Sequence, residues 1–410
     1  MSDCIKVGIG HATSARLAAE QAHAATPKAN LVLCFINAAL DVAACYADVR
    51  DVFGDKVPIV GGSSVGELSS RLTAPQDNTV VIMSLQSSYL SVGIGVGEDL
   101  TASPRKAAIT ALEQAQARLH TNPTVMSLMT IALESKKPTE ASRIKPFVKI
   151  VLPDGTSERE EPFLRALMNE TGRSPQIIGG STASLPEVKN SYQICDGVFQ
   201  DSAVLTSIST ALKMGTAIGQ PYLPASRGVV ITSGEGRVVK AFNGKPAAEV
   251  LKKLLGCDEL TPEVFAQNPF GVQSADVFAE YTIKSARCVN PDQSVSFYSA
   301  ITNGSFLRQM KTDRNTAESL FRKALERAII DAGRPKKIAG IIVFNCILRH
   351  LLKCRLEIDD AAIIRDVCGQ DVPFIGFNTF GEQGATLGGS LGHYNQTASI
   401  LVIGDEVITQ

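Results

Sequence analysis

Residues Pro58–Glu67 read PIVGGSSVGE, and a closely related segment, PFIGFNTFGE, spans Pro373–Glu382. The proline, two of the glycines and the final glutamate keep the same spacing in both segments. Apolar residues followed directly by glycines are typical of a strand that ends in a tight loop, because glycine adopts backbone angles that other residues avoid. A shorter version, IIGGST, spans Ile177–Thr182. The pattern therefore predicts internal repetition of a strand and its glycine loop.

Further similarity surrounds these loops. Upstream of them, Leu33–Phe35 resembles Ile342–Phe344, and downstream Thr79–Leu85 resembles Ala203–Ile208. The repeated unit is therefore a strand, a helix, a strand, a glycine loop and another strand. Copies this long and this far apart do not form a solenoid. We expect instead an ancient duplication within two domains.

The order of apolar segments indicates the fold class. Two apolar alternations, at residues 79–85 and 90–96, are separated by Gln86–Ser88, a spacing typical of an antiparallel hairpin, and such a hairpin argues against a purely parallel sheet. We predict an α/β (α+β) fold with mixed, partly antiparallel sheets covered by helices and repeated across two domains. The proline-rich stretch Pro221–Ser226 places the boundary, giving domains 1–225 and 226–410. The charged run Lys136–Glu161 is expected to form an exposed insertion.

Composition excludes several classes of protein. The 410 residues contain 40 Lys and Arg against 41 Asp and Glu, a balance that argues against a generally basic nucleic-acid binder. The longest apolar stretch, Ile338–Leu348, is shorter than the roughly 20 residues that cross a bilayer, and the first residues lack a signal peptide. The nine cysteines form no CxxC pair, so neither a disulfide framework nor a zinc knuckle is expected. We therefore expect a cytoplasmic protein without a membrane or nucleic-acid partner.

Sharper enzyme motifs do not fit the chain. Gly8–Thr13 begins like a dinucleotide fingerprint but lacks its final glycine. Neither a GxxxxGK[ST] phosphate loop nor an HExxH zinc motif occurs. The sequence therefore favours a ligand-binding protein over an enzyme.

Several separated motifs resemble the FIST family of intracellular sensory proteins. They are IVGGSS at Ile59–Ser64, GKPAA at Gly244–Ala248, NCILR at Asn345–Arg349, PFIGFNTFGE at Pro373–Glu382 and HYNQT at His393–Thr397. The resemblance implies a FIST N-like part followed by a FIST C-like ligand-binding part. It also implies small-ligand binding and signalling to a kinase or a cyclic-nucleotide enzyme. The standalone branch of the family, which this chain is similar to, binds haem and senses nitric oxide.

The second glycine loop carries candidate ligand-binding residues. Asn378 would supply hydrogen bonds, and Glu382 would meet an ammonium group. Phe377 and Phe380 add apolar surface suited to a pocket. The alternative is that the loop is only a tight connection between strands.

A second group of candidates follows the strand predicted near Ile342–Phe344. Asn345, Cys346 and Arg349 lie where that strand leads into a turn or helix. Arg349 would bind a carboxylate of an amino acid or a haem propionate through paired hydrogen bonds. The alternative is an ion pair with a nearby acid such as Glu357.

Two histidines are candidates for the haem that the resemblance implies. His350 borders Leu351 and Leu352, and a neutral imidazole there would bind haem b iron axially and leave the opposite face open to a gas. His393, beside Asn395, is the second candidate for haem or for another ligand. The alternatives are that His350 is an exposed or ordinarily packed histidine and that His393 stabilises the last turn before the final strand.

The preferred interpretation is a cytoplasmic sensor that binds haem, detects nitric oxide and signals to a histidine kinase or a cyclic-dinucleotide enzyme. The alternative is a haem-independent sensor of an amino acid or another small metabolite, in which Arg349 reads the carboxylate and Glu382 the ammonium group. A third possibility is an interaction protein whose loops shape a docking surface.

Overall fold

The computed structural model describes residues 3–72, 77–134, 147–172, 176–185, 190–273, 280–385 and 391–408. The described helices are α1 (Ala15–His23), α2 (Val42–Phe53), α3 (Pro104–Arg118), α4 (Pro123–Glu134), α5 (Glu160–Thr171), α6 (Ala247–Leu255), α7 (Pro262–Gln267), α8 (Arg314–Asp331), α9 (Ile347–Leu356) and α10 (Asp360–Cys368).

The described strands of the first half are β1 (Lys6–Ala12), β2 (Leu31–Asn37), β3 (Ile59–Ser64), β4 (Glu67–Ser69), β5 (Val80–Gln86), β6 (Leu90–Gly97), β7 (Phe147–Pro153), β8 (Gln176–Gly180), β9 (Gln193–Cys195), β10 (Val198–Phe199), β11 (Ala203–Thr210) and β12 (Leu212–Gly219). Those of the second half are β13 (Leu223–Glu235), β14 (Val238–Phe242), β15 (Lys245–Pro246), β16 (Phe270–Val272), β17 (Thr282–Lys284), β18 (Ala286–Val289), β19 (Val295–Phe297), β20 (Phe306–Lys311), β21 (Ile338–Cys346), β22 (Phe374–Thr379), β23 (Glu382–Ala385), β24 (Leu391–Tyr394) and β25 (Ala398–Val407).

Three sheets share one strand order, which confirms the predicted mixed, helix-covered fold. The orders are β1-β5-β2-β3, β6-β11-β7-β8 and β12-β25-β21-β22. In each sheet the last two strands are parallel and the other neighbours are antiparallel. The parallel pairs need crossover connections, which α2, α5 and α9–α10 supply. The repeat is therefore present three times, and the shorter sequence at Ile177–Thr182 belongs to the middle copy.

A short strand from each repeat joins the sheet of another repeat. Strand β4 of the first repeat pairs with β22, β9 of the second pairs with β3, and β23 of the third pairs with β8. These exchanges link the three repeats into a closed ring. The predicted division into domains near residue 225 stays a prediction.

One apolar core fills the space between the inner faces of the three sheets. Its aromatic centre is formed by Phe35, Phe344 and Phe377, and the ring centroids of Phe35 and Phe377 lie 4.2 Å apart. Helices cover the outer faces: α1 and α2 on the first sheet, α3 and α5 on the second, and α8 and α10 on the third. We call this three-sided body the prism.

A fourth sheet is inserted into the third repeat, between β12 and α8. Strands β13 to β20 form it, and its own core includes Phe242 and Phe297. The strands on either side of residue 236 pair as a hairpin through β13 and β14. We call residues 223–311 the inserted sheet.

Two local expectations were wrong. Strands β5 and β6 exist, but they lie in different sheets and do not form a hairpin. The alternation of apolar residues predicts strands without predicting their partners, and both edges of β5 are occupied by β1 and β2. Within Lys136–Glu161, β7 is a buried central strand, not an exposed insertion; residues 135–146 lie outside the described residues.

Within the described ranges, the helices are too short or too polar to cross a membrane.

Candidate functional site

The glycine loops gather at the carboxyl ends of the parallel strand pairs. The registers place Glu67 opposite Phe377, Gln193 opposite Gly62 and Glu382 opposite Gly180. These three side chains therefore occupy equivalent positions in the three repeats.

Each of these side chains lies in a cage of two hydroxyl groups. Glu382 accepts hydrogen bonds from the hydroxyls of Thr379 and Thr397, the latter at 2.5 Å. Glu67 accepts from Ser64 and Thr79 in the same way. The cages give the acids structural partners on both carboxylate oxygens.

The amide Gln193 takes the corresponding place in the second repeat. Its Nε2 donates to Thr182 Oγ1 at 2.7 Å, and its Oε1 accepts from Ser202 Oγ at 2.8 Å. An uncharged amide thus satisfies the same kind of cage as the two acids.

Burial dominates the electrostatics of the third cage. Glu382 is fully buried, and this raises its pKa to about 8 against the opposing effect of the threonine hydrogen bonds. The glutamate is therefore largely protonated at neutral pH, and it does not present a free anion to an ammonium group. Its predicted role in ligand binding stays a prediction.

One serine has the spacing of a nucleophile elbow. Gly62–Gly66 read GSSVG, which fits GxSxG around Ser64. Ser64 is fully buried, ends strand β3 and donates to Glu67. This is not the exposed strand-to-helix turn on which such a nucleophile acts.

Arg349 is held by an acid on the next helix. Its Nη1 and Nη2 donate to Asp360 at 2.7 and 3.0 Å, and Nη1 also donates to Asn345 Oδ1 at 2.6 Å. The partner is therefore Asp360, not Glu357, because the αL residue Glu357 ends α9 and the chain returns at Asp360 to begin α10. Both side chains are almost fully buried, which leaves this guanidinium already paired.

The other candidates near Arg349 divide into two groups. Asn345 donates to Asn378 Oδ1 at 2.8 Å, so these two residues and Arg349 form one hydrogen-bonded chain. Cys346 is buried at the end of β21, and Phe377 belongs to the aromatic centre of the prism. The structure brings the polar candidates together, but it uses Phe377 for packing.

Phe380 and His350 lie outside that chain. Phe380 is half-buried, and its Cβ lies close to Gly155 of the second repeat. His350 is half-buried on α9, with Nε2 3.5 Å from Cys354 Sγ. Burial lowers the pKa of His350, so its imidazole is neutral at pH 7.

A different polar face is formed by the hairpin β23–β24. Gln383 pairs across the hairpin with His393, so their side chains project from one face, which continues to Asn395. Gln383 Nε2 lies 3.2 Å from His393 Nδ1 and donates to Ser181 Oγ at 2.9 Å. All three hairpin side chains are buried.

Charged residues from two other parts of the chain meet this face. Glu160, at the start of α5, lies 3.8 Å from His393 Nε2 and accepts from Arg237 of the inserted sheet at 2.7 Å. Lys284, on β17, is close enough to help lower the pKa of His393, and it donates to Ser299 Oγ and to the Ala300 carbonyl oxygen at 3.2 and 2.7 Å. We call Gln383, His393, Asn395, Glu160, Arg237 and Lys284 the interface cluster.

Two acceptors of the interface cluster are unsatisfied. Gln383 Oε1 and Asn395 Oδ1 are buried and accept no hydrogen bond from the described part of the chain. Burial also lowers the pKa values of His393 and Lys284, the latter to about 8. The sequence singled out His393 and Asn395. It carried no signal for Lys284, and Glu160 looked like an ordinary acid at a helix start.

A cleft of about 820 Å³ lies at the opposite end of β21 and β22. Apolar residues such as Val7, Ile338 and Val372 line it, with Lys6 and Asp3 among its polar residues. None of the residues predicted from the sequence lines this cleft. It is therefore separate from the glycine loops.

Comparison with known proteins agrees with the motifs. The FIST N domain profile matches residues 30–245, which is more than half of the chain, and the FIST C domain profile matches residues 247–385. The chain belongs to the FIST family. FIST domains bind small ligands and are associated with sensory signalling.

Individual relatives add little to the family assignment. An uncharacterized protein of Methanocaldococcus jannaschii is 27% identical over 183 residues, a match covering 41% of this chain and 35% of that protein. The chain thus spans about a third of that relative's length. A crystal structure of cyanuric acid hydrolase from A. caulinodans aligns over 100% of both chains with 9% identity and a TM-score of 0.37, too low to support an inference.

Proposed function

We propose that this FIST protein is a sensory receptor for a small polar metabolite, an amino acid or a close chemical relative, bound at the interface cluster. The observation that carries the proposal is the pair of buried amide oxygens, Gln383 Oε1 and Asn395 Oδ1, without donors among the described residues. Leaving such an acceptor unpaired costs about 1–3 kcal/mol. A ligand with N–H groups would remove that cost.

The cluster also supports a choice of ligand class. Lys284 makes two hydrogen bonds to described atoms, and an ammonium group has three N–H donors. A carboxylate would accept the third, while the amide oxygens of Gln383 and Asn395 would accept from an amine. Arg349 and Glu382, first expected to play these roles, are held by Asp360 and by the threonine cage.

The location supports a signalling mechanism. Gln383 and Asn395 belong to the hairpin β23–β24, whereas Lys284 belongs to the inserted sheet. A ligand that contacts both would favour one arrangement of the inserted sheet on the prism, and a partner that distinguishes the arrangements would read the signal. The family resemblance makes a sensor histidine kinase or a cyclic-dinucleotide enzyme the proposed partner.

The residues around the two candidate histidines fit haem less well. The His393 side chain is only 1% exposed, with its ring nitrogens near Gln383 and Glu160, so iron would have to displace both contacts. His350 is neutral, as an axial ligand must be, but the groups that influence its pKa include Lys353, Asp360 and Arg349. These charged side chains would pack poorly against the largely apolar face of a porphyrin ring. The geometry therefore favours the metabolite over haem b and nitric oxide.

A thermal-shift panel tests the proposal. The purified chain is heated with each of the standard amino acids, with simple amines and carboxylates, and with haem, whose binding is also followed by its Soret band. A ligand present at about 100 times its Kd stabilises the folded state by about 2.7 kcal/mol and raises Tm. We expect an amino acid to raise Tm in the natural chain and not in Gln383→Leu. A Soret band with no amino-acid shift would instead support the haem alternative.

A further inference from the structure

The surface of helix α9 carries a thiol beside an imidazole. His350 and Cys354 are four positions apart in the sequence, so they lie on one face of the helix. Their Sγ and Nε2 atoms are 3.5 Å apart, which is within hydrogen-bonding range for sulfur. Cys354 is exposed, whereas Cys34, Cys195 and Cys346 are buried. The pair is therefore accessible to small molecules.

We propose that Cys354 is a site of reversible thiol–disulfide exchange, with His350 as its proton acceptor and a low-molecular-weight disulfide as its substrate. This inference does not depend on the proposed function, because neither residue belongs to the interface cluster. Only a free thiol and a neutral ring nitrogen are needed.

The chemistry follows from the position of the two atoms. With the ring proton on Nδ1, Nε2 accepts the thiol proton while Sγ attacks one sulfur of the disulfide. A new S–S bond forms at Cys354 and the original S–S bond breaks. The departing thiolate takes the proton from the imidazolium. Cys354 ends as a mixed disulfide with one half of the small disulfide, and the other half leaves as a thiol.

The surroundings allow His350 to act in this way. Burial, Lys353 and Arg349 lower its pKa, and Asp360 raises it, with the net result that the ring is neutral at pH 7. Lys353 and Arg349 are themselves paired with Asp360, at 2.6 and 2.7 Å. The ring thus remains the available proton acceptor beside the thiol.

A mixed disulfide at Cys354 would alter a helix that reaches the polar chain of the third repeat. One turn before His350, α9 begins directly after Cys346, and Arg349 connects the helix to Asn345 and Asp360. Leu351, next to His350, is 53% exposed. Modification would therefore change the exposed surface of α9, the helix whose first turn carries Arg349.

The chain supplies a matched control in Cys288. It is also exposed, and it is adjacent in sequence to Arg287, as Cys354 is to Arg355. Its Sγ lies 4.0 Å from the Asn290 amide oxygen, and no histidine is hydrogen-bonded to it in the described structure. Cys288 therefore gives the reaction rate of an exposed thiol without a histidine partner, and His350→Gln isolates the effect of the imidazole.

The test treats the natural 410-residue chain and its His350→Gln variant with oxidised glutathione and follows each cysteine-containing peptide by mass spectrometry over time. We expect Cys354 to react roughly ten times faster than Cys288, since a positioned base accelerates proton transfer at least that much. In His350→Gln the Cys354 rate should fall to that of Cys288. Equal rates in the natural chain, or an unchanged Cys354 rate in His350→Gln, would overturn the proposal. Labelling of the buried Cys34 would show that the variant is unfolded. In that case the rates of Cys354 and Cys288 in the natural chain decide whether the proposal holds.

Discussion

Glu67 and Glu382 occupy the same position in two repeats, and each carboxylate lies between two hydroxyl groups. In both repeats one hydroxyl belongs to the residue three positions earlier, Ser64 or Thr379. The other belongs to the residue just before the next long strand, Thr79 before β5 or Thr397 before β25. The second repeat has Gln193 at this position, with the same two kinds of contact. Because an amide serves the cage as well as an acid, negative charge is not what the position requires.

Glu382→Gln should therefore fold and be less sensitive to alkaline pH than the natural chain. Burial raises the pKa of Glu382 from 4.5 to about 8. The folded state then binds a proton that the unfolded state releases, so this contribution to stability is complete below pH 4.5 and is lost as pH rises to about 8. The difference amounts to a few kcal/mol at most, since one pKa unit corresponds to about 1.4 kcal/mol.

Urea unfolding at pH 5 and pH 8 measures this effect. The natural chain should lose more free energy of unfolding between the two values than Glu382→Gln does. Glu382→Ala is the control, because it leaves the Thr379 and Thr397 hydroxyls without a partner and should cost about 2 kcal/mol or more at both pH values. A Glu382→Gln variant with the natural pH dependence would contradict the assignment.

Removing Asp360 from its buried pair with Arg349 should destabilise the folded chain strongly. Asp360→Asn leaves an unpaired guanidinium in a site where the arginine side chain is 3% exposed, and such a change costs about 3–5 kcal/mol. Burial alone would raise the pKa of Asp360, but Arg349 and Lys353 lower it well below its usual range. The contribution is therefore present at neutral pH and is lost as pH falls below about 4.

Chemical denaturation at pH 7 checks this, with Asp51→Asn as the matched control. Asp51 pairs with Arg16 at 2.6 Å, but its side chain is 65% exposed, and such surface pairs contribute less than about 1 kcal/mol. Equal effects of the two substitutions would show that Arg349 is not buried as described.

The exchanged strands should make the three repeats unfold together. A fragment of residues 1–225 lacks β22 and β25, which pair with β4 and β12. A fragment of residues 226–410 lacks β8, the partner of β23. We expect neither fragment by itself to show a cooperative thermal transition when it is followed by circular dichroism. A mixture of the two fragments should restore such a transition. Independent cooperative folding of residues 1–225 would support the domain division that the sequence predicted.

Local sequence patterns predicted where strands and helices lie better than they predicted which strands and side chains pair with one another. The strand that ends at Cys346 and the helix that follows it lie where the sequence predicted a strand leading into a turn or helix, because a run of apolar residues is a local property. The pairing of β4 with β22 joins residues about 300 positions apart, and no local signal encodes it. Likewise the sequence suggested Glu357 and not Asp360 as the ion-pair partner of Arg349, because Asp360 approaches Arg349 only when α10 folds back on α9.

The residues that surround His393 and Asn395 could not be predicted from the sequence for a related reason. His393 and Asn395 were identified from a motif, but Lys284 and Glu160 reach them only through the packing of the inserted sheet and α5 on the third repeat. An isolated lysine or a glutamate at a helix start has no distinctive sequence signal.

Calorimetric titration of the amino acid that gives the largest thermal shift tests the central claim most directly. It is carried out on the natural chain, on Gln383→Leu in the interface cluster, and on Lys6→Glu in the cleft at the opposite end of the prism. We predict that Gln383→Leu raises Kd at least roughly tenfold, the effect of losing about 1.4 kcal/mol, and that Lys6→Glu leaves it unchanged. Unchanged affinity in Gln383→Leu, or loss of binding in Lys6→Glu alone, would contradict the account.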